Sequence, residues 1–217
     1  MWSSRALSYG GLARRYRDFP NGVLRCLDPL RGVSVAFSTE LKYENWLLYW
    51  ADPLIREIQL CCPWFECVLD GQRTRVRPDL VIVHKQTEIQ LVVSRRTEGS
   101  VRRTSALVRV AQARGFEWSV RTHDDIRGCP VLLRNLNRLR QCAVMFADDV
   151  TPTVLDVIAN LLPRNEILTR REVSEMVPAC VSGDLLDALL IHLHWRGRVS
   201  IDLNGGVYAD ESDVWCR

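Results

Sequence analysis

Lysine is nearly missing from this 217-residue chain: it occurs only at Lys42 and Lys85, so almost every basic side chain is an arginine. The net charge is only +3 at pH 7, which by itself is weak support for a nucleic-acid partner. Arginine binds phosphate through paired N–H groups in a fixed geometry, but a GC-rich genome would enrich arginine equally. The composition is therefore compatible with a nucleic-acid ligand and does not require one.

Long apolar runs and metal-binding pairs are missing as well. No stretch of about 18 apolar residues occurs, so we expect no membrane-spanning helix, and the first residues lack the apolar segment of a secretory signal. The eight cysteines form no Cys-x-x-Cys pair, and the histidines show no matching spacing, so zinc is not expected. Most cysteines lie in apolar settings, which is typical of reduced thiols in a cytoplasmic protein.

The hydrophobic pattern divides the chain into three parts. Residues 1–36 are predicted to form an irregular N-terminal arm with one short strand near Val33–Phe37. Residues 37–148 alternate between strand and helix patterns, which indicates an α/β domain with a mixed sheet. Its predicted elements are, in order, the helix Glu40–Trp50, the strands Ile55–Cys62, Trp64–Leu69, Arg75–Val83 and Glu88–Val93, the helix Thr104–Ala113, the strand Glu117–Thr122 and the helix Val131–Gln141.

Residues 149–217 follow a different pattern and are predicted to form a small α+β domain. Its predicted elements are the helices Thr153–Leu162, Arg170–Val177 and Asp184–Trp195, and a hairpin with strands Arg198–Leu203 and Gly206–Ala209. Thr169 and Glu172 form a capping box before the second helix, and Asn204-Gly205 is a strong hairpin-turn signal. Three helices and a hairpin are the plan of a winged helix.

The C-terminal part has less positive charge than is usual for a domain that binds DNA. The third helix carries Asp184 and Asp187 and little positive charge, which argues against its entry into a DNA groove. The acidic segment Asp210–Asp213 follows it. Both features favour docking to a protein.

The stretch Arg77–Val83 and the strand after it carry the strongest functional signal. Asp79 stands at the start of a strand, where a carboxylate is able to face Mg²⁺, an ion that prefers oxygen ligands. Nucleases of the PD-(D/E)XK type place Glu-x-Lys on the next strand, with both side chains on one face. Counting along the hairpin puts Val92 and Ser94 at those two places. Alternatively, Asp79 only caps the turn after Pro78.

Four segments between Trp50 and Leu139 lie in the order seen in one nuclease family, and the order of the predicted elements extends the likeness over nearly the whole chain. They are Trp50–Ile55, Arg77–Ile82, Phe116–Thr122 and Arg134–Leu139. The sequence resembles the TnsA endonuclease of heteromeric, TnsAB-type transposases, which belongs to the PD-(D/E)XK superfamily. The resemblance implies a restriction-endonuclease-like mixed sheet flanked by helices, followed by a winged-helix domain.

The resemblance also implies partners and site residues. In that family the subunit cuts the 5′ ends of a transposon beside a DDE-type transposase (TnsB-like), and an AAA+ ATPase regulator (TnsC-like) docks partly on its C-terminal domain. Transposon-end DNA and these two proteins are thus implied, with no membrane partner and a bacterial, cytoplasmic, nucleoid-associated location. By position, Asp79 is the metal-binding Asp. The first-helix Glu is Glu40 or Glu44, one turn apart, although ungapped counting lands on Lys42.

Catalysis is not expected, because Val92 and Ser94 leave no second carboxylate to hold Mg²⁺ and no ammonium to orient the attacking water. We therefore expect a catalytically degenerate scaffold without a cofactor; Mg²⁺ is required only if the site is active. Two alternatives stay open. One is an active metal-dependent endonuclease with rearranged ligands that cuts transposon 5′ ends, and the other is a winged-helix transcriptional regulator.

Arginines cluster around the expected site. DNA contacts are predicted for Arg73, Arg75, Arg77, Arg95, Arg96, Arg102 and Arg103. Phosphate-facing arginines give DNA affinity that depends on salt and not on base sequence. The alternative is an ordinary solvated surface, but acidic residues are sparse in this run.

Overall fold

The computed structural model describes residues 24–60, 62–85, 89–94 and 101–217. Over these ranges the chain is mixed α/β, with eleven strands and seven helices, and no helix there is long and apolar enough to cross a bilayer. The strands are β1 (Leu24–Asp28), β2 (Val33–Phe37), β3 (Ile55–Gln59), β4 (Phe65–Leu69), β5 (Gln72–Val76), β6 (Leu80–His84), β7 (Ile89–Ser94), β8 (Glu117–Arg121), β9 (Ile167–Thr169), β10 (Val199–Ile201) and β11 (Asp213–Cys216). The helices are α1 (Glu40–Trp50), α2 (Val101–Arg114), α3 (His123–Arg127), α4 (Pro130–Met145), α5 (Pro152–Leu161), α6 (Arg170–Met176) and α7 (Gly183–Trp195).

An antiparallel hairpin of β1 and β2 precedes the first helix, with Leu24 opposite Phe37. The ring of Phe37 is buried and lies 5.3 Å from the ring of Trp46 on α1. The predicted strand Val33–Phe37 is confirmed as β2, whereas the prediction of irregular chain before it is wrong for β1, which pairs with β2; residues 1–23 lie outside the described ranges. α1 has the predicted bounds, because the Thr39 hydroxyl accepts the N–H of Lys42 and caps its start.

A four-stranded mixed sheet forms the centre of the α/β part, in the order β3-β6-β7-β8. β6 runs antiparallel to β3 and β7, and β8 returns parallel to β7 after the α2 crossover. The single predicted strand Arg75–Val83 is wrong, since residues 77–79 separate β5 from β6. Pro78 has no N–H for a strand ladder, so the break falls directly before Asp79.

The strands β4 and β5 form a separate two-stranded ribbon. Its turn residues Asp70 and Gly71 both have positive φ, 50° and 75°, as a two-residue hairpin turn of type I′ requires. One face of the ribbon packs on α2, where Phe65 and Val76 join Leu107 in a small buried cluster. The other face of the ribbon points away from α2.

In the C-terminal part, β9, β10 and β11 form a small sheet in the order β10-β11-β9. The Thr169/Glu172 capping box is confirmed at the start of α6. The predicted pairing of Arg198–Leu203 with Gly206–Ala209 is wrong, because β10 pairs with β11 instead. β9 was not predicted at all.

One buried apolar cluster extends across both parts of the chain. It contains Trp46 and Trp50 of α1, Leu139 of α4, Leu189 of α7, and Tyr208. α4 packs along α7, so the helix that ends the α/β part also forms a wall of the C-terminal part. The two predicted domains therefore share a core.

Candidate functional site

Asp79 lies at the break between the ribbon and the central sheet. Its N–H donates to the carbonyl oxygen of Val92 at 2.9 Å, and the next residue, Leu80, stands opposite Val92 in the ladder. The side chain of Asp79 is only 4% exposed. The predicted proximity of Asp79 to Val92 is therefore confirmed, although Asp79 lies just before β6 and not on it.

Two cationic side chains approach the carboxylate of Asp79. The Nζ atom of Lys42, on α1, lies 2.9 Å from Oδ1 of Asp79, and Nη2 of Arg103, on α2, lies 3.5 Å from the same oxygen. Arg103 also donates to the backbone oxygen of Arg77 at 2.8 Å. One buried carboxylate thus holds together two helices that flank the sheet. Lys42 was reached by ungapped counting from the sequence, but its ion pair with Asp79 was not predicted.

Glu40 and Glu44, the two candidates for a first-helix ligand, are paired with a different residue. Arg127 of α3 donates to Glu44 Oε2 at 2.7 Å, and its Nη2 lies 3.5 Å from Glu40 Oε2. The short helix α3 was not predicted, although Thr122 and Asp125 form a capping box at its start. The structure therefore brings both glutamates to Arg127, and Lys42 rather than either glutamate to Asp79.

The two Glu-x-Lys places both lie on β7. Val92 is fully buried and belongs to the main apolar cluster. Ser94 is the last residue of β7, paired in register with Arg121, and its side chain lies outside the description.

The side chains at this place do not fit Mg²⁺. A hexacoordinate hard cation needs several oxygen ligands, whereas Asp79 meets two positive groups and an aliphatic neighbour at Val92. A divalent ion near Asp79 Oδ1 would be repelled by Lys42 and Arg103 at close range. The arrangement is a neutralised carboxylate, and no hydrolytic step can be derived from it.

Arginines line the ribbon and the start of α2. Arg73, Arg75 and Arg77 are exposed, and Arg75 is paired with Glu66 at 2.6 Å. Arg102 of α2 donates to the side chain of Gln72 at 2.8 Å, which fixes α2 against β5. Arg95 and Arg96, also predicted to bind DNA, lie outside the described ranges.

The ribbon face that points away from α2 combines these arginines with exposed apolar side chains. Val68 stands opposite Arg73 in the ladder and is 56% exposed, and Trp64, just before β4, is 62% exposed. Alternation along β5 places Arg73 and Arg75 on one face, and Arg77, which is also exposed, follows directly after β5. We call Arg73, Arg75, Arg77 and Trp64 the ribbon face.

The acidic residues expected to serve docking are largely satisfied inside the chain. Asp187 is fully buried; its Oδ1 accepts from Arg170 at 2.6 Å and from the Tyr208 hydroxyl at 3.2 Å. Its Oδ2 accepts from Arg138 of α4 at 3.2 Å. Asp210 pairs with the same Arg170. The expectation that Asp187 lies on a docking surface is therefore wrong, because it forms part of a buried network between α4, α6 and α7.

Cys142, Asp184 and Asp187 form the one group among the described residues that could hold a metal ion, with ligand atoms within 4.8 Å of one another. Burial, followed by the charges of Asp187 and Asp184, raises the pKa of the Cys142 thiol to about 11. The thiol therefore keeps its proton at neutral pH, whereas a metal binds the thiolate. An ion here would also have to displace Arg170 from Asp187.

Asn135 of α4 is a structural residue that the sequence placed only inside a family motif. Its Nδ2 donates to the backbone oxygens of Leu203 at 2.9 Å and Gly206 at 2.7 Å, and its Oδ1 accepts the N–H of Tyr208 at 2.9 Å. Asn135 is 1% exposed. One side chain thus holds the segment 203–208 on α4.

No protein-family model matches the chain, and no curated protein matches it significantly. The likeness to TnsA therefore stays a resemblance carried by four short segments. Support for a function comes from the contacts around Asp79 and from the ribbon face.

Proposed function

We propose that this chain is a TnsA-like subunit of a DNA transposition complex whose nuclease-like core has lost catalysis. In this role it binds transposon-end DNA and docks beside a DDE-type transposase and an AAA+ regulator. The observation that carries the proposal is the ion pair of Asp79 with Lys42 and Arg103 at the place where a nuclease would hold its metal. A positively charged side chain here neutralises Asp79 as a metal cation would, but it cannot polarise a phosphate as Mg²⁺ does.

The order of elements supports the nuclease-like part of the proposal. α1 precedes an antiparallel β3-β6-β7 meander, and α2 leads to β8, which is parallel to β7. This is the mixed sheet flanked by helices that the resemblance implies. The ribbon of β4 and β5 is an insertion between β3 and β6.

The C-terminal part supports the winged-helix assignment in its element order, three helices with three short strands. Its third helix, α7, is not available for a DNA groove, since eight consecutive residues from Leu186 to Leu193 are buried. This counts against the transcriptional regulator. A partner that docks on the C-terminal part has to use other surfaces of it.

The ribbon face supports DNA binding. Exposed arginines along β5 and directly after it fit a row of phosphates, and Trp64, just before β4, is an exposed aromatic residue of the same segment. Phosphate contacts position a protein on DNA without reading bases, which is the task of a scaffold. The ribbon is held by α2, whose Arg103 reaches Asp79. The neutralised carboxylate and the DNA face therefore belong to one rigid unit.

A nicking assay on supercoiled plasmid tests the loss of catalysis. The protein, with its transposase, should not nick DNA in Mg²⁺ or Mn²⁺, and Asp79→Ala should behave identically. Nicking by the native protein that disappears in Asp79→Ala would instead establish the active endonuclease. Without a 5′ cut, transposition products should be cointegrates, which sequencing of products reveals; excised simple insertions alone would contradict the proposal.

A binding assay tests the ribbon face. The double variant Arg73→Gln/Arg77→Gln should weaken binding to a duplex and reduce the slope of log K against log salt by about 2, one unit per lost phosphate contact. Arg171→Gln/Arg196→Gln removes the same charge from exposed positions of the C-terminal part and serves as the control. EDTA should leave both affinities unchanged. Equal losses in the two variants would mean that only net charge matters.

A further inference from the structure

A cavity of about 340 Å³ opens in the C-terminal part. It lies between the end of α5, the start of β10 and the end of β11, so it shares no element with the Asp79 site or the ribbon face. This volume is within the range of about 300–1,000 Å³ that is usual for small-molecule sites. The cavity needs a separate explanation because the function proposed above does not use it.

Three arginines line this cavity: Arg164, Arg198 and Arg217. They come from three neighbouring segments that are joined by backbone hydrogen bonds. The N–H of Arg217 donates to the carbonyl oxygen of Arg198 at 3.1 Å, and the N–H of Asn165 donates to that of Cys216 at 3.0 Å. Asn165 has a positive φ of 60°, a backbone conformation that asparagine tolerates better than most residues. The local fold thus brings these three arginines to the lining of one cavity.

Carboxylates do not balance this charge. Within the chain that the structure describes, neither Arg164 nor Arg217 has a carboxylate within 4.0 Å, and Arg198 has only Asp156, at 3.8 Å. The side chains of Arg198 and Asp156 are 48% and 66% exposed, so this pair is a weak surface contact. Three arginines around one cavity, with carboxylates nearby in the described chain only at Asp156 and at Glu166 beside Cys216, leave a local excess of positive charge that attracts an anion.

The floor of the cavity is apolar, and its rim is polar. Leu162, Val199 and Cys216 are buried beneath it, with exposures of 6%, 2% and 6%. Asn160 adds an amide at the edge. A ligand that fits has a compact, multiply charged anionic end for the guanidinium groups and a less polar body for the floor.

We propose that this cavity binds one nucleotide, with its phosphate on Arg164, Arg198 and Arg217 and its sugar or base against the apolar floor. Guanidinium groups match phosphate oxygens through paired N–H donors, and a phosphate offers enough oxygens to engage more than one of them. The nucleotide is either free in solution or a unit of a DNA strand, and the chemistry of recognition is the same. The inference stands on the cavity alone and does not depend on a role in transposition.

Titration of the full chain with deoxyadenosine monophosphate and with deoxyadenosine tests the proposal. The nucleotide should bind saturably, the nucleoside should not, and the phosphorus NMR line of the nucleotide should broaden in the presence of the native protein. Arg164→Gln/Arg198→Gln should weaken nucleotide binding about a hundredfold, roughly tenfold for each charged hydrogen-bonding group. Asp156→Asn should tighten binding severalfold, since it removes the carboxylate that is paired with Arg198.

The matched control is again Arg171→Gln/Arg196→Gln, which changes the net charge equally outside the cavity. If free nucleotide binds and only the cavity variant loses it, the ligand is a free nucleotide. If the free nucleotide does not bind, but the cavity variant loses more duplex affinity than the control variant does, the ligand is a phosphate of a DNA strand. Equal duplex affinity in the cavity and control variants, with no broadening of the phosphorus line, would overturn the proposal. Because the ribbon-face variant retains the cavity, failure here and failure of the ribbon face are distinguishable.

Discussion

The pairing of Lys42 with Asp79 makes a quantitative prediction. At the 2.9 Å that separates Lys42 Nζ from Asp79 Oδ1, two unit charges attract by about 6 kcal/mol at an effective dielectric constant of about 20. Removing the 4%-exposed carboxylate from water opposes most of this attraction. Lys42 keeps 37% of its side-chain exposure, so water screens the pair further. We expect a net coupling of about 2 kcal/mol, between the values of surface and buried pairs.

A double-mutant cycle measures this coupling. Urea unfolding is followed for the native chain, Lys42→Met, Asp79→Asn and the double variant, with equal m-values as the check on two-state unfolding. The control cycle uses Arg75 and Glu66, whose side chains are 72% and 55% exposed, and it should give less than about 1 kcal/mol. If the Lys42–Asp79 coupling is no larger than the control, Asp79 is not neutralised as the geometry indicates, and the argument against a metal loses its basis.

Three further changes test contacts elsewhere. Burial lowers the pKa of both His192 and His194 to about 4; because the unfolded state binds more protons, stability should be complete above about pH 6.5 and fall toward pH 4, by up to about 3 kcal/mol per histidine. Urea unfolding between pH 7 and 4.5 checks this, and a flat profile would contradict it. Asn135→Ala breaks three hydrogen bonds to the 203–208 segment and should cost about 3 kcal/mol; a loss under about 1 kcal/mol would show that the segment is held by other contacts. Thr169→Ala removes the hydroxyl that accepts the N–H of Glu172 and should cost about 1 kcal/mol, whereas an unchanged urea midpoint would mean that the cap contributes nothing.

Elements with a local cause were predictable. The bounds of α1 follow from the Thr39 cap, and the start of α6 follows from the Thr169/Glu172 box, because each signal lies within four residues of the helix it starts. The end of α2 is marked by Gly115, whose φ of 67° is costly for other residues. In each of these elements the sequence contains both partners of the deciding contact within one turn.

The segment after β10 shows why a strong hairpin-turn signal does not always produce a hairpin. Asn204-Gly205 does form a turn, because Asp202 Oδ1 accepts the N–H groups of both residues, at 2.9 and 3.0 Å. The chain beyond the turn does not pair with β10, since Tyr208 is buried and its N–H is bound to Asn135 of α4. A contact between residues 73 positions apart overrides the hairpin, and no periodicity reports such a contact.

The same distinction between local and long-range contacts applies to the candidate site. Asp79 and its neighbour Val92 follow from strand register, which counting along a hairpin can give. The partners of the charged residues do not, because Lys42, Arg103 and Arg127 approach from helices whose rotation about their axes is set by packing. The sequence therefore identified the carboxylates, but it predicted a metal site where the structure places basic side chains.

The contacts of Asp79 also show how the elements around it are held together without an ion. In a metal site, the cation draws ligands from a helix and two strands toward one point. In this chain, Asp79 draws Lys42 from α1 and Arg103 from α2 to the same oxygen, and the backbone of Asp79 bonds to Val92. These elements are thus held together by side chains that are always present. The proposed DNA-positioning role is compatible with such permanent contacts, whereas a metal-dependent enzyme needs the open coordination positions that Lys42 and Arg103 occupy.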